Sequence, residues 1–133
     1  MHLTEVTARG SLFTMAFLFG TATADCRAPG VQRIDLQNHT TSIPGYRAIQ
    51  NRVDFKQGAS FPRHVHPADE IVYAVGGVLQ YIFDDKPSVT LTTGEVLFIP
   101  AGTAHSVQNI GYGMASELGT YIAPEGEQLL NCY

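Results

Sequence analysis

Between residues 46 and 122 the chain is cut into short runs rich in β-branched and aromatic residues, each closed by turn-forming residues and none long enough for an ordinary helix. The runs cover 46–55, 60–66, 70–75, 78–83, 88–92, 95–99, 105–110 and 114–122, with Asp84-Asp85-Lys86-Pro87 and Thr93-Gly94 among the turns. Many short strands at close, regular spacing predict an all-β sandwich or barrel, and a jelly-roll barrel buries such strands with few exposed edges. The length, 133 residues, is that of one domain. Residues 46–133 are assigned to the barrel, and 25–45 read as an irregular lead-in with turns at Pro29-Gly30 and Pro44-Gly45.

The two ends carry separate signals. Residues 11–20 form an apolar stretch about half as long as a bilayer span requires, and Ala22-Thr23-Ala24 follows as a small-x-small cleavage site. The expectation is a signal peptide over 1–24, cleavage near Ala24, export to a periplasmic or extracellular space, and no membrane span in the mature chain. An apolar arm lying over the barrel is the competing reading. Cys26 and Cys132 stand near opposite ends of the exported portion. In an oxidising compartment they can pair, but spacing alone leaves two free thiols equally open. The formal charge of −4 and the lack of any Lys/Arg block exclude a nucleic-acid footprint.

The chemistry concentrates in two places. His64 and His66 are two apart in an expected strand, so both side chains leave the same face. Glu70 follows Pro67-Ala68-Asp69 and leads into Ile-Val-Tyr-Ala-Val, and His105 follows Pro100-Ala101-Gly102. A His-x-His pair alone is a weak metal signal. Charged or polar groups inside an apolar barrel are costly unless paired or bound to an ion, and one metal would relieve all four residues at once. Three imidazoles and a carboxylate suit Fe, Mn, Ni, Co, Cu or Zn. Adjacent strand residues face opposite ways, so Asp69 reads as a solvated connector residue.

At these positions the sequence resembles the cupin family. Gly58, His64-x-His66, Glu70 and Gly77 match its first motif, and Gly94, Pro100-x-Gly102, His105 and Asn109 match its second, with sixteen residues between the two. The resemblance implies a single-domain cupin, a jelly-roll or double-stranded β-helix barrel, with His64, His66, Glu70 and His105 as ligands of one divalent transition metal per chain. It gives structural roles to Gly58, Gly77, Gly94, Pro100, Gly102 and Asn109: the glycines in turns, the proline fixing the approach to His105, the asparagine bonding a neighbouring strand or loop. It also implies a homodimer, and alternation along a regular strand, with Glu70, Val72 and Ala74 on one face, turns Tyr73 outward.

Four protein ligands on an octahedral metal leave two positions for water, substrate or dioxygen. The favoured function is a metal-dependent, dioxygenase-like oxidoreductase acting on a small oxygenated organic molecule. A lyase or isomerase on the same metal, and a non-enzymatic exported protein that binds or senses a metal or small ligand, are the alternatives, because fold and motif do not separate them. Phe61, Val72, Tyr81 and Tyr121 are the candidate pocket walls, with Gln108 and Glu117 as lesser ones.

Overall fold

The computed structural model describes residues 26–133, so the expected signal peptide lies outside the described residues. Ten strands run in order: β1 (Val31–Thr40), β2 (Tyr46–Phe55), β3 (Ser60–Val65), β4 (Asp69–Gly76), β5 (Val78–Phe83), β6 (Val89–Thr92), β7 (Val96–Ile99), β8 (His105–Asn109), β9 (Ala115–Pro124) and β10 (Asn131–Cys132). They form two five-stranded sheets, ordered β1-β2-β9-β4-β7 and β10-β3-β8-β5-β6. Every pairing is antiparallel. Among the described residues no helix is long and apolar enough to cross a membrane.

Period-two patterning decides which face of each strand turns inward. Along β9, Ala115, Glu117, Gly119, Tyr121 and Ala123 are buried or inward-facing, and along β4 Glu70, Val72 and Ala74 are buried while Ile71, Tyr73 and Val75 are exposed. The sheets close over an apolar core that includes Val53, Phe55, Val72, Leu79, Tyr81, Phe83, Leu91, Ile99 and Val107, with a smaller cluster of Ala68, Tyr121 and Ala123 beside it. The polar site occupies one end of this interior.

One expectation needs correction. Residues 25–45 are not an irregular lead-in, because β1 occupies ten of them and pairs with β2 along its length. Its pattern was hidden by a register shift between Asp35 and Gln37 and by an inward face that carries Arg33 where a strand of this kind usually carries an apolar residue. At the other end, β10 pairs Asn131 with Val65 and Cys132 with His64. A disulfide joins Cys26 to Cys132.

Gly58, Gly77, Gly94 and Gly102 all have positive φ. At Gly77 the demand is twofold: φ is 76°, and a Cβ would lie 2.6 Å from that of Ala115. Asn109 is buried, and its Nδ2 donates to the carbonyls of Phe55 (3.2 Å), Lys56 (3.1 Å) and Gly113 (2.8 Å), while Oδ1 accepts from Gly111 N (3.1 Å). It thereby ties β8 to the end of β2 and to the turn before β9.

Candidate metal centre

Backbone register brings the two distant stretches together. His64 on β3 lies directly across from His105 on β8. The loop before His105 is tied to the first stretch twice: Gly102 N donates to the His66 carbonyl (2.8 Å), and Ala101 N donates to Asp69 Oδ1 (3.0 Å). Asp69 is therefore an anchor for that loop rather than the solvated connector its position suggested.

His64, His66, Glu70 and His105 are all buried. One ligand atom from each histidine lies within 4.8 Å of the others, and Glu70 Oε2 lies 3.5 Å from Nε2 of both His66 and His105. Each histidine directs Nδ1 at a main-chain carbonyl: His64 at Pro62 (2.8 Å), His66 at Leu129 (2.7 Å), His105 at Thr103 (2.9 Å). A carbonyl only accepts, so Nδ1 carries a proton in each ring and Nε2 is the atom left to face the centre, where a neutral ring offers its lone pair to a metal. Glu70 Oε2 is buried without a hydrogen-bond partner. An unpaired buried carboxylate oxygen beside two lone pairs is a costly arrangement that a cation relieves. The nitrogen and oxygen donor set fits a divalent transition metal.

Without a metal, burial favours neutral His64 and His66, whereas Glu70 and His105 stabilise each other's charge. Burial, aided by His105 and His66, pushes His64 down to about 3. Burial also lowers His66. Burial opposes ionisation of both Glu70 and His105, yet their mutual attraction prevails, holding Glu70 below the usual carboxylate range and His105 above the usual imidazole range. Glu117 behaves differently: burial, then the Glu70 charge, pushes it up to about 8. The Tyr81 hydroxyl donates to Glu117 Oε2.

The space beside the cluster is small. The cavity measures ≈ 30 Å³, room for about two waters or a fragment of a few heavy atoms. Phe61 and Tyr121 line it, Tyr121 packing its ring 4.8 Å from that of His66. Val72 and Tyr81 do not line it. Val72 shares the inward face with Glu70 but sits deeper, in the apolar core, and Tyr81 supports the wall from behind through Glu117. Gln108 is half-buried and outside the lining, whereas Glu117 belongs to it. The sequence reading passed over Arg33, Val53, Phe55, Val107 and Leu130, which complete the wall with the centre's own side chains. Arg33 and Leu130 come from β1 and from just before β10, the two segments whose strand character was not visible.

The profile of the cupin domain family matches residues 51–118, just over half the chain, from within β2 to within β9. The chain belongs to the cupin family. Among curated relatives, this cupin is 34% identical over 88 residues to germin-like protein 1-1 of Oryza sativa subsp. japonica, a match covering 60% of the chain and 41% of the rice protein. It thus spans well under half the length of that relative. Among solved structures it resembles an oxalate oxidase in complex with the substrate analogue glycolate, at 28% identity and a TM-score of 0.62, covering 77% of this cupin and 56% of the oxidase. A protein with a double-stranded β-helix domain from Klebsiella pneumoniae superposes with a TM-score of 0.65 at 15% identity, covering 79% and 86% of the two chains, which bears on the fold alone.

Proposed function

We propose that this cupin is a metal-dependent enzyme that oxidises a small oxygenated organic molecule, with one divalent transition metal held by His64, His66, Glu70 and His105. The observation that carries the reading is the orphaned Glu70 Oε2 beside the imidazole nitrogens, whose opposite ring nitrogens are already committed to main-chain carbonyls. A bound metal of this kind supplies Lewis acidity and, for iron or manganese, access to oxygen chemistry. The chain's residues do the rest. Phe61, Val107 and Leu130 give the cavity apolar walls, Tyr121 braces His66, and Glu117, whose carboxyl burial raises, lines the cavity without belonging to the ligand set. An ionisable group lining the cavity outside the ligand set favours an enzyme over a simple metal store. The likeness to an oxalate oxidase supports oxidation over lyase or isomerase chemistry.

The test is oxygen uptake by the protein reconstituted with iron or manganese and offered a panel of small hydroxy acids, diols and dicarboxylates. The reading expects uptake that requires both metal and one of these substrates. Tight substrate retention without turnover would favour a binding protein instead.

The same proposal extends to assembly and location. Ile71, Tyr73 and Val75 on β4 and Val96 and Phe98 on β7 are exposed, and register sets Ile71 beside Phe98 and Tyr73 beside Val96. A contiguous apolar face next to an edge strand supports a homodimer formed through it. The Cys26–Cys132 disulfide and the apolar N-terminal stretch support export to an oxidising compartment.

A further inference from the structure

Arg33 is the only Arg or Lys among the described residues lining the cavity, and it also lines both surface hollows that adjoin it. It therefore stands where the interior meets solvent. Its guanidinium carbon is 5.9 Å from the centre of the Tyr121 ring, which also packs against His66. Behind it lies Asn51, which is buried. With the Asn51 amide oriented to satisfy its neighbours, Oδ1 accepts from Arg33 Nε (2.5 Å) and Nη2, and Nδ2 donates to Asp35 Oδ1 (3.2 Å) and the Gln50 carbonyl (2.8 Å). Asn51 thus fixes one edge of the guanidinium and takes two of its five N–H donors. The other three have no partner among the described residues. Arg33 is thus braced from behind by Asn51 while its side chain lines the cavity.

We propose that Arg33 is a specificity-determining residue, anchoring the carboxylate of a small organic acid whose other oxygen donor reaches the histidine cluster. This rests on the metal-centre reading above only for the second contact. A planar guanidinium with free donors matches a carboxylate better than it matches a neutral oxygen. Beyond it the walls are Phe61, Val107 and Leu130, suited to a short carbon segment, and the small cavity favours a segment of a few atoms. Tetrahedral phosphate has no carbon to place against these walls.

Glycolate, a minimal acid with a second oxygen donor, and its uncharged counterpart glycolamide separate charge recognition from size. Calorimetric titration is done on metal-free and Co(II)-loaded full-length protein, wild type, Arg33→Gln and Arg33→Lys. The expected result is preference for glycolate in the wild type, and an affinity for glycolate about 10- to 100-fold lower in Arg33→Gln. Glycolamide affinity and cobalt content stay within twofold. Arg33→Lys, which keeps the charge but not the fork, falls between. Equal affinity of the wild type for both probes overturns the inference, a result that needs no variant to fold. So does equal loss of both probes in Arg33→Gln, or tighter binding of inorganic phosphate than of glycolate. Failure of the wild type to take up cobalt contradicts the metal-centre reading instead, and the role of Arg33 is then decided by the glycolate-to-glycolamide ratio in the metal-free protein.

Discussion

At the scale of single residues, the ionisable groups oppose one another in a way that fixes the pH profile of the metal-free protein. His64, pushed from 6.5 to about 3, leaves the folded state with fewer bound protons than the unfolded one across that interval, and His66 has the same sign. Stability from these two therefore falls as pH drops below about 6.5. Depressed Glu70 adds to this loss in more acid solution. Glu117, raised from 4.5 to about 8, has the opposite sign: the fold keeps a proton the unfolded chain has released, so stability falls as pH rises through that range. Raised His105 acts likewise. The opposing slopes overlap between about 4.5 and 6.5, so urea midpoints measured with chelator should be highest there, falling toward pH 3 and toward pH 8, and Glu117→Gln should flatten the alkaline limb. A midpoint that climbs steadily from pH 5 to 8 would contradict these assignments. Asn109 yields a second prediction. Asn109→Ala leaves the buried carbonyls it serves without their donor and should cost about 1–3 kcal/mol in urea unfolding, with metal content per folded chain unchanged. His64, His66, Glu70 and His105 were legible because their spacing is a property of local sequence. Arg33 was not, since its neighbours come from β2 and β9, and no local pattern marks a lone arginine as an inward-facing one.

At the scale of elements, the C-terminal segment is what the sequence concealed. It is too short and too polar to read as a strand, yet β10 pairs with the strand that carries His64, Leu129 accepts from His66 Nδ1, and Leu130 closes the cavity wall. The disulfide holds this segment in place across a sequence separation of 106. Cutting that link in Cys132→Ser should lower stability by about 2–5 kcal/mol. Because it also frees the carbonyl that orients His66, metal affinity should weaken by about 10- to 100-fold, measured by chelator competition. Affinity unchanged in that variant would show that the segment does not position His66. The other strands were easier to read. β2 and β5 fall on the runs expected, and β3, β4, β6, β7, β8 and β9 shift by one or two residues at their ends, because turn residues bound each run closely. β1, at a sheet edge with a register shift, lacks regular alternation.

At the scale of the whole molecule, two features are independent: a polar centre inside the barrel and an apolar face outside it. Phe98 is 54% exposed at the middle of that face, and Phe98→Glu should convert a dimer to a monomer in sedimentation equilibrium while leaving metal content per chain unchanged. A wild type already monomeric at high concentration would remove the dimer from the account. The central claim concerns the interior, where three rings and one carboxylate converge without a protein partner for Glu70 Oε2. It is tested most directly by elemental analysis of the purified protein beside His64→Ala and His66→Ala. The account predicts about one transition-metal ion per wild-type chain and near-complete loss in both variants. Equal metal content in all three proteins, with folding intact, would contradict it.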